Sequence, residues 1–142
     1  MLIVGLTVPV PSCDNAYTQY LNYIRAIPSE EARNAELLLF MRRPQEAESI
    51  LMQAGLTYRA IMMNVNLFNW DRAIEIALAQ RTHIDTVLYH RREFLRLGGR
   101  SEGHAKFLSL MAEVEVDEEA VRRKAMQEEE DERNRPGARR LV

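Results

Sequence analysis

The stretch Glu46-Ala47-Glu48-Ser49-Ile50-Leu51 decides the fold class, because its pattern recurs further along the chain as Arg72-Ala73-Ile74-Glu75-Ile76-Ala77, at a 26-residue offset. The same offset aligns Ala60-Ile61-Met62 with Thr86-Val87-Leu88. The pattern of each unit predicts two short helices, with small alanines at the positions where the helices approach closely. A repeat of this kind predicts an all-α fold, a short α-solenoid of helical hairpins that bury their apolar faces against their neighbours. The period is shorter than that of the standard tetratricopeptide repeat, so the hairpins are tetratricopeptide-like, in trimmed form.

Helical periodicity extends to both sides of this repeat, and each break between helices spans only a few residues. Apolar residues recur at three- and four-residue spacing, and short breaks force consecutive helices to pack as antiparallel hairpins. We expect no strand after residue 13. The predicted helix caps are Ser29, Asn69, Thr82 (in a capping box with Asp85), Ser101 and Asp117, the predicted first-turn proline is Pro44, and the predicted stops are Gly55 and Gly98-Gly99.

Three segments follow from the change of composition along the chain. Residues 1–13 are uncharged and β-branched and carry Pro9 and Pro11, which predicts an extended or disordered lead-in. Residues 14–113 form the predicted helical-repeat domain. Residues 114–142 are predicted to be a charged helical extension with a disordered tail. Charge pairs four residues apart favour a helix there, but few apolar residues are available to dock it, so we favour a solvated extension.

Composition limits the classes of partner and compartment. The chain has 142 residues with 19 basic and 21 acidic side chains, and this balance argues against a nucleic-acid binder, which needs a basic face. The lone Cys13 cannot form an internal disulfide, which favours a reducing compartment. No apolar run is long enough for a membrane helix. We therefore expect a cytosolic protein that binds no nucleic acid and does not insert directly into a membrane.

The sequence offers little for catalysis or metal binding. His83 and His90 lie two helical turns apart, about 10 Å along the axis, which is too far for one metal ion. Neither a zinc motif, nor a nucleophile elbow, nor a phosphate loop is found. The acidic run of residues 128–132 is interpreted as a solvated surface, and the histidines as surface or capping residues. These patterns predict that the protein is not an enzyme and has no catalytic residue, cofactor or metal.

Aromatic and methionine side chains are concentrated in the middle of the repeat region, and their role has two interpretations. Buried between hairpins they would form core, whereas exposed they would form a protein interface, where such residues are enriched. Met62 and Met63 are adjacent, so they point about 100° apart on a helix and cannot both face inward. The candidate protein-interface residues are Tyr58, Met62, Met63, Phe68, Trp70 and Phe94.

Three blocks of sequence carry a resemblance to a known family. The chain resembles the C-terminal helical-repeat region of the 80-kilodalton subunits of the intraflagellar transport B complex, over about residues 20 to 130. The alanine pattern alone is shared with vesicle-coat solenoids, but the long first block is more specific. The blocks are Ala47-x-x-Ile50-Leu51-x-Gln53-Ala54-Gly55-Leu56-x-Tyr58-x-Ala60-Ile61, Asn69-Trp70-Asp71-Arg72-Ala73 and Thr82-His83-Ile84-Asp85-Thr86-Val87-Leu88, and Glu113-Val114-Glu115-Val116-Asp117 is also similar.

The resemblance implies a non-catalytic scaffold segment that mediates protein contacts in ciliary transport trains. The implied location is the cilium or flagellum and the basal body, on the cytoplasmic side. The implied partners are other subunits of the B complex, and a homodimer is also expected because a short solenoid leaves an end uncapped. Family members carry two β-propellers before the repeats, and these 142 residues contain none. We therefore expect a fragment, a misread gene start or a natural short product.

Three other function classes stay open at this point. The first is a helical-repeat segment of a vesicle-coat or other trafficking complex. The second is an enzyme or metalloprotein built on a helical bundle, which would hold stoichiometric metal. The third is an RNA-reading repeat, which needs basic residues at matched positions of successive units; the alignment at the 26-residue offset shows none.

Overall fold

The computed structural model describes residues 13–139, and all eight elements within them are α-helices. The predicted fold class, a short α-solenoid of tetratricopeptide-like hairpins, is confirmed. The extended lead-in expected for residues 1–13 lies outside the described residues except for Cys13, which begins the first helix. The helices are α1 (Cys13–Ala26), α2 (Glu30–Phe40), α3 (Pro44–Gln53), α4 (Thr57–Asn66), α5 (Trp70–Gln80), α6 (Ile84–Leu97), α7 (Ala105–Glu113) and α8 (Glu118–Arg133).

The chain divides into two compact units. The first contains the described residues up to Leu56 together with those from Glu130, and in it α2 packs against both α1 and α3. The second runs from Thr57 to Glu129, and in it α4, α5 and α6 pack together while α7 contacts α6. The domain boundaries expected after residues 13 and 113 are not boundaries of these units and stay a prediction.

The repeat is visible in the pattern of burial. Ala47 in α3 and Ala73 in α5 have no exposed surface, and the same is true of Ile61 in α4 and Val87 in α6. Both pairs are related by the offset that the sequence repeat shows. Small buried alanines on α3 and α5 let each helix approach its hairpin partner closely, while larger aliphatic side chains fill the space between helices.

Five successive helices, α2 to α6, end in the same backbone motif. A left-handed residue stands directly after the C-cap, or at the C-cap itself in α5, and the N–H of the residue that follows it bonds to a carbonyl five residues earlier, as Arg43 does to Leu38 at 2.9 Å. The left-handed residues of the first four helices are evenly spaced along the chain, so two helices with their turns make one period of the repeat. These residues are Arg42 (φ 60°), Gly55 (φ 75°), Phe68 (φ 58°), Arg81 (φ 54°) and, at the end of α6, Gly99 (φ 65°).

Several predicted helix starts are confirmed. The Ser29 hydroxyl accepts the Ala32 N–H at 3.2 Å, which caps α2. Pro44 is the first residue of α3, where its missing N–H has no helical partner to lose. A carboxylate oxygen of Asp117 accepts the Glu119 N–H at 3.1 Å at the start of α8.

The predicted capping box at Thr82 is wrong. Thr82 closes the preceding helix instead, because its N–H bonds to the Ala77 carbonyl at 3.1 Å. His83, which is left-handed at φ 56°, then stands at the N-cap of α6 without a side-chain cap. Thr82 therefore belongs to the C-terminal motif of α5, and it is not the N-cap of α6 that the sequence pattern predicted.

Two further predicted caps differ from the structure. Ser101 does not cap a helix: α7 begins at Ala105, and the Nδ1 atom of His104 accepts the Lys106 N–H at 3.2 Å. Asn69 stands at the N-cap of α5, but its side chain donates to the Asn64 side-chain oxygen at 3.3 Å instead of capping.

The charged C-terminal segment is more ordered than a solvated extension. Helix α8 spans the charged run, and Val121 on it is only 3% exposed. Beyond it, the Arg139 N–H bonds to the Pro28 carbonyl at 2.9 Å, within the first unit. The remainder of the tail expected to be disordered, from Arg140, lies outside the described residues.

We expect Gly55→Ala and Arg42→Gly to change stability in opposite directions. A Cβ atom at Gly55 would meet no heavy atom within 4 Å, so its cost comes from the left-handed backbone alone. The alanine should lower the free energy of unfolding by about 1 kcal/mol, and Arg42→Gly should raise it by about 0.5–1 kcal/mol. Urea unfolding of both variants measures these shifts; a loss of stability in Arg42→Gly would contradict the interpretation.

Candidate protein-interaction surface

Three of the six predicted interface residues come together in the second unit as an aromatic cluster, made of Phe68, Trp70 and Phe94. The ring centroids of Phe68 and Phe94 are 5.0 Å apart, those of Trp70 and Phe94 5.4 Å, and those of Phe68 and Trp70 6.4 Å. All three pairs are tilted, an arrangement that is favourable between aromatic quadrupoles. The cluster is therefore a fixed group of rings.

The aromatic cluster is only partly covered. Phe68 is 47% exposed and Phe94 is 40% exposed, while Trp70 is half-buried. A contiguous exposed patch of large rings costs free energy in water, and such patches are typical of surfaces that bind another protein. The geometry makes the cluster a candidate docking surface.

Phe68 reaches the cluster from an unusual backbone conformation. It is the left-handed residue that closes α4, at φ 58°, a region that bulky residues rarely occupy. The cost relative to glycine is about 1 kcal/mol. The contact with Phe94 offsets part of this cost. No sequence signal marked Phe68 as a turn residue, because glycine or asparagine is usual at that position.

Arg91 contacts Trp70 of the aromatic cluster and has two further partners, Phe107 and Glu102. The guanidinium carbon of Arg91 lies 5.6 Å from the Trp70 ring centroid and 5.1 Å from that of Phe107. Arg91 also donates two hydrogen bonds to Glu102, of 3.0 and 3.1 Å. The two side chains are only 16% and 7% exposed. The sequence signal for this site is the position of Arg91, three residues after Leu88 and four before Leu95, which places it on the apolar face of α6.

The ion pair controls the ionisation of Glu102. Hydrogen bonding from Arg91 lowers the pKa of Glu102 below its usual value, and the His104 N–H, which donates to the same carboxylate at 3.0 Å, acts in the same direction. The pair therefore ties the segment between α6 and α7 to the inner face of α6. Phe107, which follows that segment, is fully buried.

The other three predicted interface residues lie elsewhere in the second unit. Met63 is buried and Met62 is half-buried, which agrees with the expectation that adjacent methionines cannot both face inward. The Tyr58 ring packs against His83 with a centroid distance of 4.7 Å. The role of these six residues in an interface stays a prediction.

The interpretation of His83 as a surface or capping residue is wrong. It is 5% exposed, its Nε2 atom lies 2.8 Å from Glu128 Oε1, and its Nδ1 atom lies 3.3 Å from Thr86 Oγ1. His104 does cap, as described above. Among residues 13–139, no three histidine, cysteine, aspartate or glutamate side chains are grouped to hold a metal ion. Nor is any helix in that range long and apolar enough to cross a membrane.

A second group of exposed rings lies in the first unit and was not predicted. Tyr17 and Phe40 have ring centroids 6.1 Å apart, and Tyr20 lies 5.5 Å from Phe40. Tyr17 is 53% and Phe40 56% exposed. The Tyr20 hydroxyl donates to the Glu36 carbonyl at 3.2 Å, and partial burial followed by the charge of Glu36 raises the pKa of Tyr20. We call these rings the first-unit aromatic group.

Residues 14–134 match the family model described as the IFT80/172/WDR35/WDR19 TPR domain. The chain belongs to this family. It is 42% identical over 117 residues to two proteins named intraflagellar transport protein 80 homolog, from Rattus norvegicus and Mus musculus. The matched segment covers 82% of this chain but only 15% of each relative. The resemblance noted in the sequence is thus confirmed, and the aromatic cluster lies within the matched range of this TPR domain.

The surroundings of Tyr58 in the TPR domain change the pKa of its phenol. Burial, followed by the charges of Glu129 and Glu128, raises the pKa of Tyr58 to about 12. The phenol is therefore held neutral while it packs on the His83 ring. Ionisation of Tyr58 would place a third negative charge beside two carboxylates.

We expect Glu102→Gln to lower the free energy of unfolding of the TPR domain at neutral pH, and to make that free energy depend less on pH in the acid range. The folded pKa of Glu102 is depressed, so its stabilisation is present above the unfolded pKa and is lost as pH falls through the folded value. Loss of the charge should cost about 2 kcal/mol at about pH 7 and progressively less in acid. Urea unfolding at stepwise lower pH measures this change.

Glu93→Gln is the matched control for Glu102→Gln. Glu93 also pairs with an arginine, Arg96 at 2.7 Å, but that arginine is 65% exposed and the pair lies at the surface. We expect it to change stability little, because exposed pairs are screened by water and salt. Equal losses in both variants would contradict a special role for the buried pair.

We expect Tyr58→Phe to reduce the loss of stability in alkali. The raised folded pKa means that the neutral phenol contributes stability below the unfolded pKa of about 10, and that this is lost as pH rises through the folded value. Phenylalanine cannot ionise, so the variant should retain more of its stability across that window. Thermal unfolding at stepwise higher pH checks this, with Tyr17→Phe as the control for loss of an exposed hydroxyl. An unchanged alkaline decline in Tyr58→Phe would contradict it.

Proposed function

We propose that this chain is a non-catalytic assembly segment of the intraflagellar transport B complex that mediates protein–protein contacts in ciliary trains. The observation that carries the proposal is the 42% identity, over 82% of the chain, to relatives named for intraflagellar transport. The proposed location is the cilium or flagellum and the basal body, on the cytoplasmic side. Other subunits of that complex are the proposed partners, with self-association as a further contact.

The aromatic cluster is the proposed docking surface. Its rings are held by contacts with one another, and Arg91 lies against Trp70 while its charge is compensated by Glu102. A surface that is already ordered loses little conformational entropy on binding, so more of the contact energy appears as affinity. Exposed aromatic anchors of this kind are the side chains that most often dominate an interface.

Charges near the cluster favour an apolar partner surface. Arg96 pairs with Glu93, and Arg72 pairs with Glu75, so these cations are compensated within the chain. A charged partner group placed there would have to compete with an existing pair. We infer that the partner presents an aliphatic or aromatic side chain to the cluster, surrounded by a polar rim.

We expect a tagged form of the chain to recover intraflagellar transport B subunits from ciliated cells. The variant Phe68→Ala/Phe94→Ala should lower that recovery about tenfold or more, because it removes the two exposed anchors. Quantitative mass spectrometry of the captured proteins measures the change, and circular dichroism verifies that each variant is folded.

The matched control is Tyr17→Ala/Phe40→Ala, which removes two exposed rings of the first-unit aromatic group. We expect it to retain recovery. If only this control lost recovery, the docking surface would lie on the first unit and not on the aromatic cluster. A folded wild-type chain that captured no transport subunit would contradict the proposed function.

A further inference from the structure

Residues 118–129 of α8 lie along α6 in the second unit and are held there by polar contacts. The contacts run antiparallel, because later residues of α8 meet earlier residues of α6. Each joins a charged side chain of α8 to a polar or charged partner. The three pairs are Glu118 Oε1 with the Tyr89 hydroxyl (3.1 Å), Lys124 Nζ with Asp85 Oδ2 (2.8 Å), and Glu128 Oε1 with His83 Nε2 (2.8 Å).

Apolar contact contributes little to this attachment. Within residues 118–129 only Val121 is buried, at 3% exposure, and Ala120 and Ala125 are half-buried. The remaining apolar side chain of moderate size, Met126, is 68% exposed. A helix normally docks through a broad stripe of apolar residues, whereas this segment buries only one valine. The polar contacts therefore carry a large part of the attachment.

One end of this contact lies beside an open cleft. The cleft has a volume of about 340 Å³ and is bordered by Lys124, by residues Arg81 to Asp85, and by Val114 and Glu115. The Lys124 side chain is 49% exposed, so water reaches this part of the contact.

The covered surface is arranged to receive a helix of defined chemistry. His83, Asp85 and Thr86 are only 5%, 9% and 1% exposed, and the Tyr58 ring packs against the His83 ring. The surface thus presents the Asp85 carboxylate and the His83 imidazole at fixed positions, and the Tyr89 hydroxyl lies about two helical turns from His83. A helix that satisfies all three must carry a carboxylate, an ammonium six residues later and a second carboxylate four residues after that.

We propose that residues 118–129 form a detachable strap, and that the surface beneath it is a docking site for a partner helix with the same arrangement of groups. The strap occupies the site within the chain and competes with the partner. The strap indicates which occupant fits, because it is a seated helix whose three charged groups each meet a partner on the surface. The inference does not depend on a ciliary role.

Two triple variants of the full chain test the strap. The strap variant Glu118→Gln/Lys124→Met/Glu128→Gln removes the three charges that make these contacts, and with them the pair of Glu118 with Arg122 within α8, and it leaves the receiving surface intact. The control variant Glu119→Gln/Arg123→Met/Glu129→Gln makes the same changes of charge on three other exposed side chains of α8. Both alter the net charge equally, so a difference between them reports the contacts.

Hydrogen exchange and a binding assay provide the readouts. We expect the amides of residues 118–129 to exchange about ten- to a hundredfold faster in the strap variant than in the control, with α4 to α6 unchanged. A labelled synthetic peptide of residues 114–133, with the native sequence, should bind the strap variant at least about tenfold more tightly than it binds the wild-type chain, where the tethered strap competes.

Three outcomes would overturn the proposal. Unchanged exchange of residues 118–129 in the strap variant would show that the polar contacts do not hold the segment. Faster exchange of α4 to α6 together with α8 would show that the segment is part of the core and not a strap. Peptide binding that is equal in the strap variant and the wild-type chain would rule out the docking site.

Discussion

The left-handed residue that closes four successive helices at equal intervals is the constraint on which the rest of the structure depends. It ends each helix after about three turns and sends the chain back antiparallel, so two such units make one period of the repeat. The position needs a positive φ, which glycine adopts freely and other residues adopt at a cost. Only Gly55 among the four is glycine, so the motif is enforced mainly by its two backbone hydrogen bonds and by packing of the flanking helices. The same constraint places the Phe68 ring beside Phe94, which links the repeat to the candidate surface.

The second unit adds a buried ion pair to this backbone pattern. Arg91 lies between two aromatic rings and is matched by both oxygens of Glu102, so neither charge is left unpaired in a poorly solvated place. A lysine there could not fill the same role, because it lacks the planar fork that meets a carboxylate with two bonds and stacks on a ring. The pair fixes the break between α6 and α7, which is the longest among the described helices and lies where the even spacing of the left-handed residues ends. Arg91 therefore supports Trp70 through a cation–π contact whose charge is already compensated.

Sequence periodicity predicted the helices well, because their apolar positions and the signals at Ser29, Pro44 and Gly55 are local. It failed where one residue could serve two elements. Thr82 satisfies the pattern of a cap for α6, yet its N–H completes the end of α5, and a backbone hydrogen bond to a carbonyl outweighed a side-chain cap. The aromatic cluster could be predicted only in part. Composition indicated which rings were candidates, but the meeting of Phe68 with Phe94 depends on a left-handed turn that no local rule assigns to phenylalanine.

The C-terminal segment shows why apolar content alone misjudges a helix. Residues 118–129 have too few apolar side chains to dock by burial, and on that ground a solvated extension was expected. Three of their charged side chains, however, meet complementary groups on α6 and its N-cap at hydrogen-bond distance. Such contacts are directional and contribute little unless every partner is in register, so they specify where the helix lies as well as holding it there. An attachment of this kind suits a contact that has to be both specific and reversible, whereas the fully buried alanines and aliphatic residues of α4 to α6 suit one that is permanent.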